Sequence, residues 1–194
     1  WLARVPVASY DPSDTTRTMD RVGAYAVGSW VQKETWGYVS ALEFGCGVGV
    51  YTRDIRCPVR AGIDGFEPYI LEARENPANA GIEFILGDMR RFEMLVTQDY
   101  QVAVFIDSLE HLTKEDATYL IDRCKTRFDK IILFIPIGDI SQEPCEGNDL
   151  QRHLSIWDET DLEEMQMRFW IKSDFHHTNP IDRQAAAFAT WVRS

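Results

Sequence analysis

Five short apolar, β-branched runs punctuate the chain, over 38–44, 59–63, 81–86, 100–106 and 130–135. Runs of this length and content predict buried strands. Most end in a polar or glycine-containing tip: Gly45, Asp64, Gly87-Asp88 and Asp107, with Pro136 stopping the fifth. Helical patterns lie between them. Ser13 or Asp14 is placed to cap a helix running to about Glu34, on which Met19, Val22, Ala26, Trp30 and Val31 recur at helical spacing and Gly23 and Gly28 weaken the pattern. A short crossover helix is expected over 51–56, stopped by Pro58, and a longer one opens after Asp64 with Pro68 in its first turn. Asn76-Pro77-Ala78-Asn79 reads as a turn. Thr113 with Asp116 makes a variant of the capping box for a helix to about Phe128, whose apolar face is Ala117, Leu120, Ile121 and Cys124. A polar loop over 137–152, longer than most connections, precedes an acidic helix over 158–167. Two final strands, 169–176 and 185–192, are joined by a turn at 179–182.

Strand and helix alternate until the last two strands follow each other directly. This order predicts an α/β fold, a doubly wound, mainly parallel seven-stranded sheet with a C-terminal antiparallel hairpin strand. Residues 1–194 read as a single domain: an N-terminal arm and aromatic-rich lid helix over 1–37, then a Rossmann-like core over 38–194.

The first strand breaks into Gly45-Cys46-Gly47-Val48-Gly49. Glycines on alternate positions let a backbone approach a ligand with no Cβ in the way. The dinucleotide fingerprint G-x-G-x-x-G/A fails, because its last position falls on Val50 or Thr52, and no Gly-Lys-Ser/Thr supports a phosphate loop. An Asp at the tip of the second strand, Asp64, suits a ribose diol, since a carboxylate accepts from both hydroxyls.

Glu43-x-Gly45-x-Gly47-x-Gly49 at a strand end resembles motif I of the class I S-adenosylmethionine-dependent methyltransferases. The resemblance covers about 41–193 and implies S-adenosyl-L-methionine as cofactor. On that likeness Gly45, Cys46, Gly47 and Gly49 pass under its methionine tail and ribose, with the Glu43 carboxylate near the ammonium. Asp64, Gly65 and Phe66 fall at the ribose, while Asp88 meets the adenine amino group and Met89 covers the ring. Asp107-Ser108-Leu109-Glu110-His111-Leu112 is similar to the D-x-L-E-H-L run of many small-molecule members, which adds Asp107 and Ser108 to the cofactor set. The segment from Asn148 to Trp157, with its N-x-L-Q-x-H-x-S-x-W pattern, looks like a prokaryotic branch of uncertain substrate, although Pro136-Ile137-Gly138 departs from the more usual Pro-Asn-Gly.

Composition narrows the partners. A net charge of −11, spread along the chain with no basic patch, repels phosphate backbones and argues against nucleic acid. The longest apolar run is too short to span a bilayer. Four cysteines without C-x-x-C or metal spacing suit free thiols in a reducing, cytoplasmic compartment. The chain begins at Trp1, which leaves room for an upstream segment.

On the acceptor side, His111 just past the fourth tip and His153 in the long loop are the candidate catalytic bases; His176 and His177 read as surface or capping groups. No histidine spacing supports a metal, and none is expected. The partner implied is a small-molecule acceptor, a saccharide or other polar metabolite, bound among the 137–157 loop, the helix around Tyr25 to Trp30, and His111. The competing class is a non-catalytic methyltransferase-like binding or assembly module, favoured by the short crossover after Gly49. A dehydrogenase is a distant third.

Overall fold

The apolar runs become strands whose two faces are both covered, as parallel pairing demands. The structure, a computed structural model, describes residues 18–144, 147–179 and 182–193. Its elements are α1 (Thr18–Thr35), β1 (Ser40–Phe44), β2 (Val59–Asp64), α2 (Glu67–Glu75), β3 (Glu83–Leu86) and α3 (Phe92–Leu95). They continue with β4 (Val102–Ile106), α4 (Lys114–Arg127), β5 (Lys130–Ile137), α5 (Glu159–Glu164), β6 (Arg168–Asn179) and β7 (Asp182–Val192). The expected caps Ser13 and Asp14 and the turn residues Pro180 and Ile181 lie outside the described residues.

The strands form one seven-stranded sheet in the order β3-β2-β1-β4-β5-β7-β6. β1 to β5 pair in parallel, and β7 runs antiparallel between β5 and β6. The terminal hairpin is therefore as the pattern predicts. Chain order reverses between β1 and β4, and the crevice beyond their carboxyl ends is where open α/β sheets hold ligands.

Alternation sorts side chains to the two faces. Leu42, Phe44, Phe105, Ile131 and Leu133 face a core closed by α3, α4 and α5 through Phe92, Leu120, Ile121 and Leu162. Phe44 stacks on Phe105 at 4.6 Å between ring centroids. Ala41, Val102, Val104, Ile132 and Phe134 face a second core with Val27, Trp30 and Val31 of α1. Thr113 accepts from Asp116 N at 3.2 Å to cap α4, and the buried face of α4 is the expected Ala117, Leu120, Ile121 and Cys124. α5 opens with a reciprocal box between Asp158 and Asp161.

Two expectations need correction. The crossover after Gly49 holds only a 3₁₀ turn, Thr52–Asp54, not a helix over 51–56. α1 already occupies that face: Gln32 Nε2 donates to Asp54 Oδ1 at 3.0 Å and Arg56 N donates to Thr35 Oγ1 at 2.9 Å. Gly28, which looked only like a helix weakener, makes room for this, because a Cβ there would lie 2.3 Å from Asp54 Oδ2. Pro136 likewise does not end the fifth strand. β4 pairs with β5 only as far as Phe134, so Pro136 pairs with β7 alone, as on an edge, where a missing N–H is tolerated. Among the described residues, no helix is long and apolar enough to cross a membrane.

Candidate functional site

The glycine loop is held in place by its surroundings. Gly45 N and Cys46 N both donate to Ile63 O of β2, at 2.8 and 3.1 Å, so the chain leaves β1 still tied to the sheet. Asp64 then grips two backbones: it accepts from Gly47 N at 2.9 Å through Oδ2 and from Phe66 N at 2.8 Å through Oδ1. Burial raises its carboxyl pKa from the ordinary value, and the two N–H bonds pull the other way. Gly49, at φ +83°, packs so closely that a Cβ would stand 2.6 Å from Phe84 Cζ. Asn79 completes the clamp, donating to Val48 O at 3.1 Å and to Ala73 O at 2.7 Å. Nothing local in the sequence marks Asn79 for this role, because its partner lies in a distant loop.

Beyond the tips lies an open cavity of ≈ 260 Å³. Gly45, Asp64, Gly65, Asp88, Met89, Asp107, Ser108 and His111 line it. Arg90, Leu112, Asn148, Leu150 and Gln151 complete the lining. Asp107 sits at φ +46°, a conformation that costs energy for a residue with a side chain, and donates its N–H to Phe134 O at 3.1 Å. Asp88 is already engaged: Arg90 Nη2 donates to its Oδ2 at 2.7 Å, and those bonds hold its carboxyl below the usual pKa. Arg90 also reaches Asp116 at 2.8 Å. Its role as a cavity residue was missed, although it lies two positions after Asp88.

Five expected cofactor residues do not line the cavity. Gly47 and Gly49 shape the loop through the contacts above. Cys46 is buried beneath the loop with Ile70, Ala73 and Phe84, and Gly62 is bare because a Cβ would lie 2.6 Å from Cys46 Cβ. Phe66 packs edge-on against Tyr69 at 4.9 Å. Glu43 is the clearest departure from what the family resemblance implies. It is 1% exposed, it accepts from Thr52 Oγ1, and burial is the largest cause raising its pKa to about 8. A carboxyl sealed this way supports the loop from below and is not presented to an ammonium.

That pKa has a consequence for stability. Folded Glu43 keeps its proton up to about 8, while the unfolded group loses it near 4.5. Between those values unfolding releases a proton, so rising pH favours the unfolded chain. Glu43's contribution is complete below 4.5 and is lost as pH rises through 8. Glu43→Gln retains an oxygen for Thr52 and removes the titration. Urea unfolding from pH 5 to 9 is expected to show the wild type losing stability relative to this variant, by at most about 1.4 kcal/mol per pH unit. Parallel curves would place the proton elsewhere.

Across the mouth runs a strap formed by residues 138–142 and 147–157. Leu154 N and Ser155 N donate to Glu110 O at 2.9 and 3.2 Å, and Gly138 N donates to Trp157 O at 2.9 Å. The strap brings the two candidate bases together: the rings of His111 and His153 stand 5.0 Å apart. His111 Nδ1 lies 3.1 Å from Arg152 O, and His153 Nδ1 lies 2.6 Å from Ile140 O. Burial is the main cause lowering the His111 pKa to about 4, so it is neutral at pH 7. Glu110 joins the pair, since one ligand-type atom from each of the three residues lies within 4.8 Å of the others. The side chain of Arg152 pairs with Glu143 at 3.4 Å and does not line the cavity.

Two aromatic residues expected near the acceptor belong to the core instead. Trp157 is 1% exposed, its Nε1 donating to Ser155 Oγ at 2.8 Å. Trp30 packs edge-on against Phe188 and Trp170, on the sheet face away from α4. The part of α1 beyond Tyr25 thus covers the sheet and does not overhang the cavity. The side chains of Tyr25, His176 and His177 are outside the described ones.

The sheet order, the antiparallel terminal strands and the glycine loop at the reversal of strand order together give the chain the fold of the class I S-adenosylmethionine-dependent methyltransferases. No protein-family model matches the sequence, and no curated protein matches it. Solved structures match its shape. Magnesium protoporphyrin IX methyltransferase from Synechocystis PCC 6803, with S-adenosylmethionine bound, is 17% identical with a TM-score of 0.63, over 93% of this chain and 85% of that one. A methyltransferase from Clostridium acetobutylicum ATCC 824, dependent on the same cofactor, is 10% identical with a TM-score of 0.61, over 96% and 94%. The plantazolicin methyltransferase BpumL, in complex with S-adenosylhomocysteine, is 15% identical with a TM-score of 0.59, over 96% and 88%.

Proposed function

We propose that the chain is an S-adenosylmethionine-dependent methyltransferase acting on a small polar acceptor. The observation that carries this reading is the glycine loop locked to Asp64 at the mouth of a cavity that also holds Asp88, Met89, Asp107 and Ser108. Asp64 has lone pairs left for a ribose diol after its two backbone bonds. Met89 supplies an apolar surface for an adenine, with Asp88 beside it. The solved methyltransferases of the same shape that carry S-adenosylmethionine or its demethylated product support the choice of cofactor.

Methyl transfer from a sulfonium is an in-line displacement at an activated carbon. The protein has to align nucleophile, carbon and sulfur and keep water out. Asn148 and Gln151 of the strap add polar groups to the cavity, which suits a hydroxylated or otherwise polar metabolite, a saccharide among them. His111, neutral at pH 7, lines the same cavity beside the place such an acceptor would occupy. The net charge of −11 disfavours nucleic acid as that acceptor.

Isothermal titration tests the cofactor. S-adenosylmethionine and S-adenosylhomocysteine are expected to bind and NAD is not; heat with NAD alone ends the proposal. The crossover reduced to one 3₁₀ turn favours a second reading, a module that binds the cofactor and transfers nothing. Under that reading binding persists, but no acceptor from a metabolite panel gains the mass of a methyl group.

A further inference from the structure

Glu110 is a buried acid in the turn after β4, next in sequence to the cavity-lining His111. It is 2% exposed, and its Oε2 is buried with no hydrogen-bond partner among the described residues. An oxygen of this kind, taken from water and given nothing in return, is costly to keep. The two imidazoles beside it are held differently. Each places Nδ1 against a backbone carbonyl, His111 at 3.1 Å from Arg152 O and His153 at 2.6 Å from Ile140 O. A carbonyl only accepts, so in the neutral form of either ring Nδ1 carries the proton and the lone pair resides on Nε2. This is how proteins fix the tautomer and orientation of an imidazole that binds a metal.

The backbone that carries these groups is fixed as well. Glu110 and His111 lie in one 3₁₀ turn, Leu109–His111, and His153 comes from the strap. The strap is tied down by Leu154 N and Ser155 N on Glu110 O, and by His153 N on Gln142 O at 3.1 Å. One ligand-type atom of each residue, either ring nitrogen counting for a histidine, lies within 4.8 Å of the others. Ligands held at about 2.0–2.2 Å around a tetrahedral ion stand roughly 3.5 Å apart. Closing the cluster therefore takes side-chain rotations of about an ångström, without movement of the strap.

We propose that Glu110, His111 and His153 bind one divalent transition-metal ion, with Zn²⁺ the best fit to a donor set of two imidazoles and one carboxylate. Three protein ligands leave a coordination position open, and His111 places the ion at the cavity margin. The position suits a hydroxyl oxygen of the acceptor. This further step rests on the methyl transfer proposed above; ion binding does not. A hydroxyl bound to the ion loses its proton to solvent, its oxygen forms the bond to the methyl carbon, and the electrons of the carbon–sulfur bond pass to sulfur, which loses its positive charge. The sequence concealed the site because its third ligand comes from another element, beyond any local spacing rule.

The test uses the full chain, stripped with a chelator, desalted and titrated with Zn²⁺ in competition with a chromophoric chelator. One ion per chain is expected, with affinity weakened at least tenfold in His153→Ala and in Glu110→Gln; circular dichroism and melting curves check that each variant folds. The double variant His176→Ala/His177→Ala is expected to keep the wild-type affinity. Co²⁺ loaded into the wild type, which needs no variant, should give visible bands without an intense near-ultraviolet thiolate band. Absence of a bound ion, retention of affinity in folded His153→Ala, or a thiolate band pointing to cysteine ligands would each overturn the site. S-adenosylhomocysteine titrated into the same samples reads the cofactor separately, so a chain that binds it but no ion loses only this inference.

Discussion

Trp157→Ala is expected to lower the stability of the chain by about 3–5 kcal/mol, the usual range for emptying a large buried aromatic site. Among the described residues Trp157 is the largest side chain that is fully buried, packed in the core that α4 and α5 close over β4 and β5. Its Nε1–H is satisfied by Ser155 Oγ at 2.8 Å, and the Lys114 ammonium stands 4.9 Å above the ring. The backbone of Trp157 meets Gly138, so the ring anchors both limbs of the strap. The strap places Asn148, Leu150 and Gln151 in the cavity wall, with Leu150 so close that a Cβ on Gly65 would lie 2.9 Å from its Cδ1. Loss of the ring should therefore also weaken S-adenosylhomocysteine binding. Trp157→Phe keeps most of the volume and gives up one hydrogen bond, for about 1 kcal/mol. Urea unfolding with and without the ligand checks both effects. A loss below about 1 kcal/mol for Trp157→Ala would mean that the ring carries neither core nor strap.

Features governed by neighbours in sequence were legible in it. The strands followed from apolar runs, the α4 cap from Thr113 and Asp116, and the terminal hairpin from two strands with nothing between them. The glycine loop and the Asp64 tip were legible because a strand, a sharp turn and a carboxylate one unit later leave a local record. What failed was set by distant partners. Whether 51–56 becomes a helix depends on α1 already covering that face, through Gln32 and Thr35. Whether Trp30 covers a ligand or a sheet depends on Phe188 and Trp170, far along the chain. Glu43 sits where the motif expects a carboxylate, yet its chemistry is set by its burial and by Thr52. Glu110 stood in plain view between Leu109 and His111, but only the strap gives it His153 as a neighbour.

Asp64→Ala is expected to act twice, on the loop and on the cofactor. Both carboxylate oxygens accept backbone N–H groups, from Gly47 and Phe66, so the alanine leaves two donors without their partner. Hydrogen bonds to a charged group are worth about 1.5–3 kcal/mol each, and partial exposure of the site allows water to recover part of that. A stability loss of about 2–3 kcal/mol is the expected result. Asp64 also lines the cavity, and a ribose diol would use its remaining lone pairs. Affinity for S-adenosylhomocysteine should fall by about 1.5–3 kcal/mol as well. Asp64→Asn sharpens the contrast: its amide oxygen replaces one acceptor, but its NH₂ would face an N–H where the second oxygen stood. It should therefore recover only part of either loss. Stability and affinity measured on the same samples separate the two roles. Reduced stability with unchanged affinity would make Asp64 a cap for the loop and helix and nothing more, whereas loss of both is what a group that holds the loop with one set of lone pairs and the ligand with another must show.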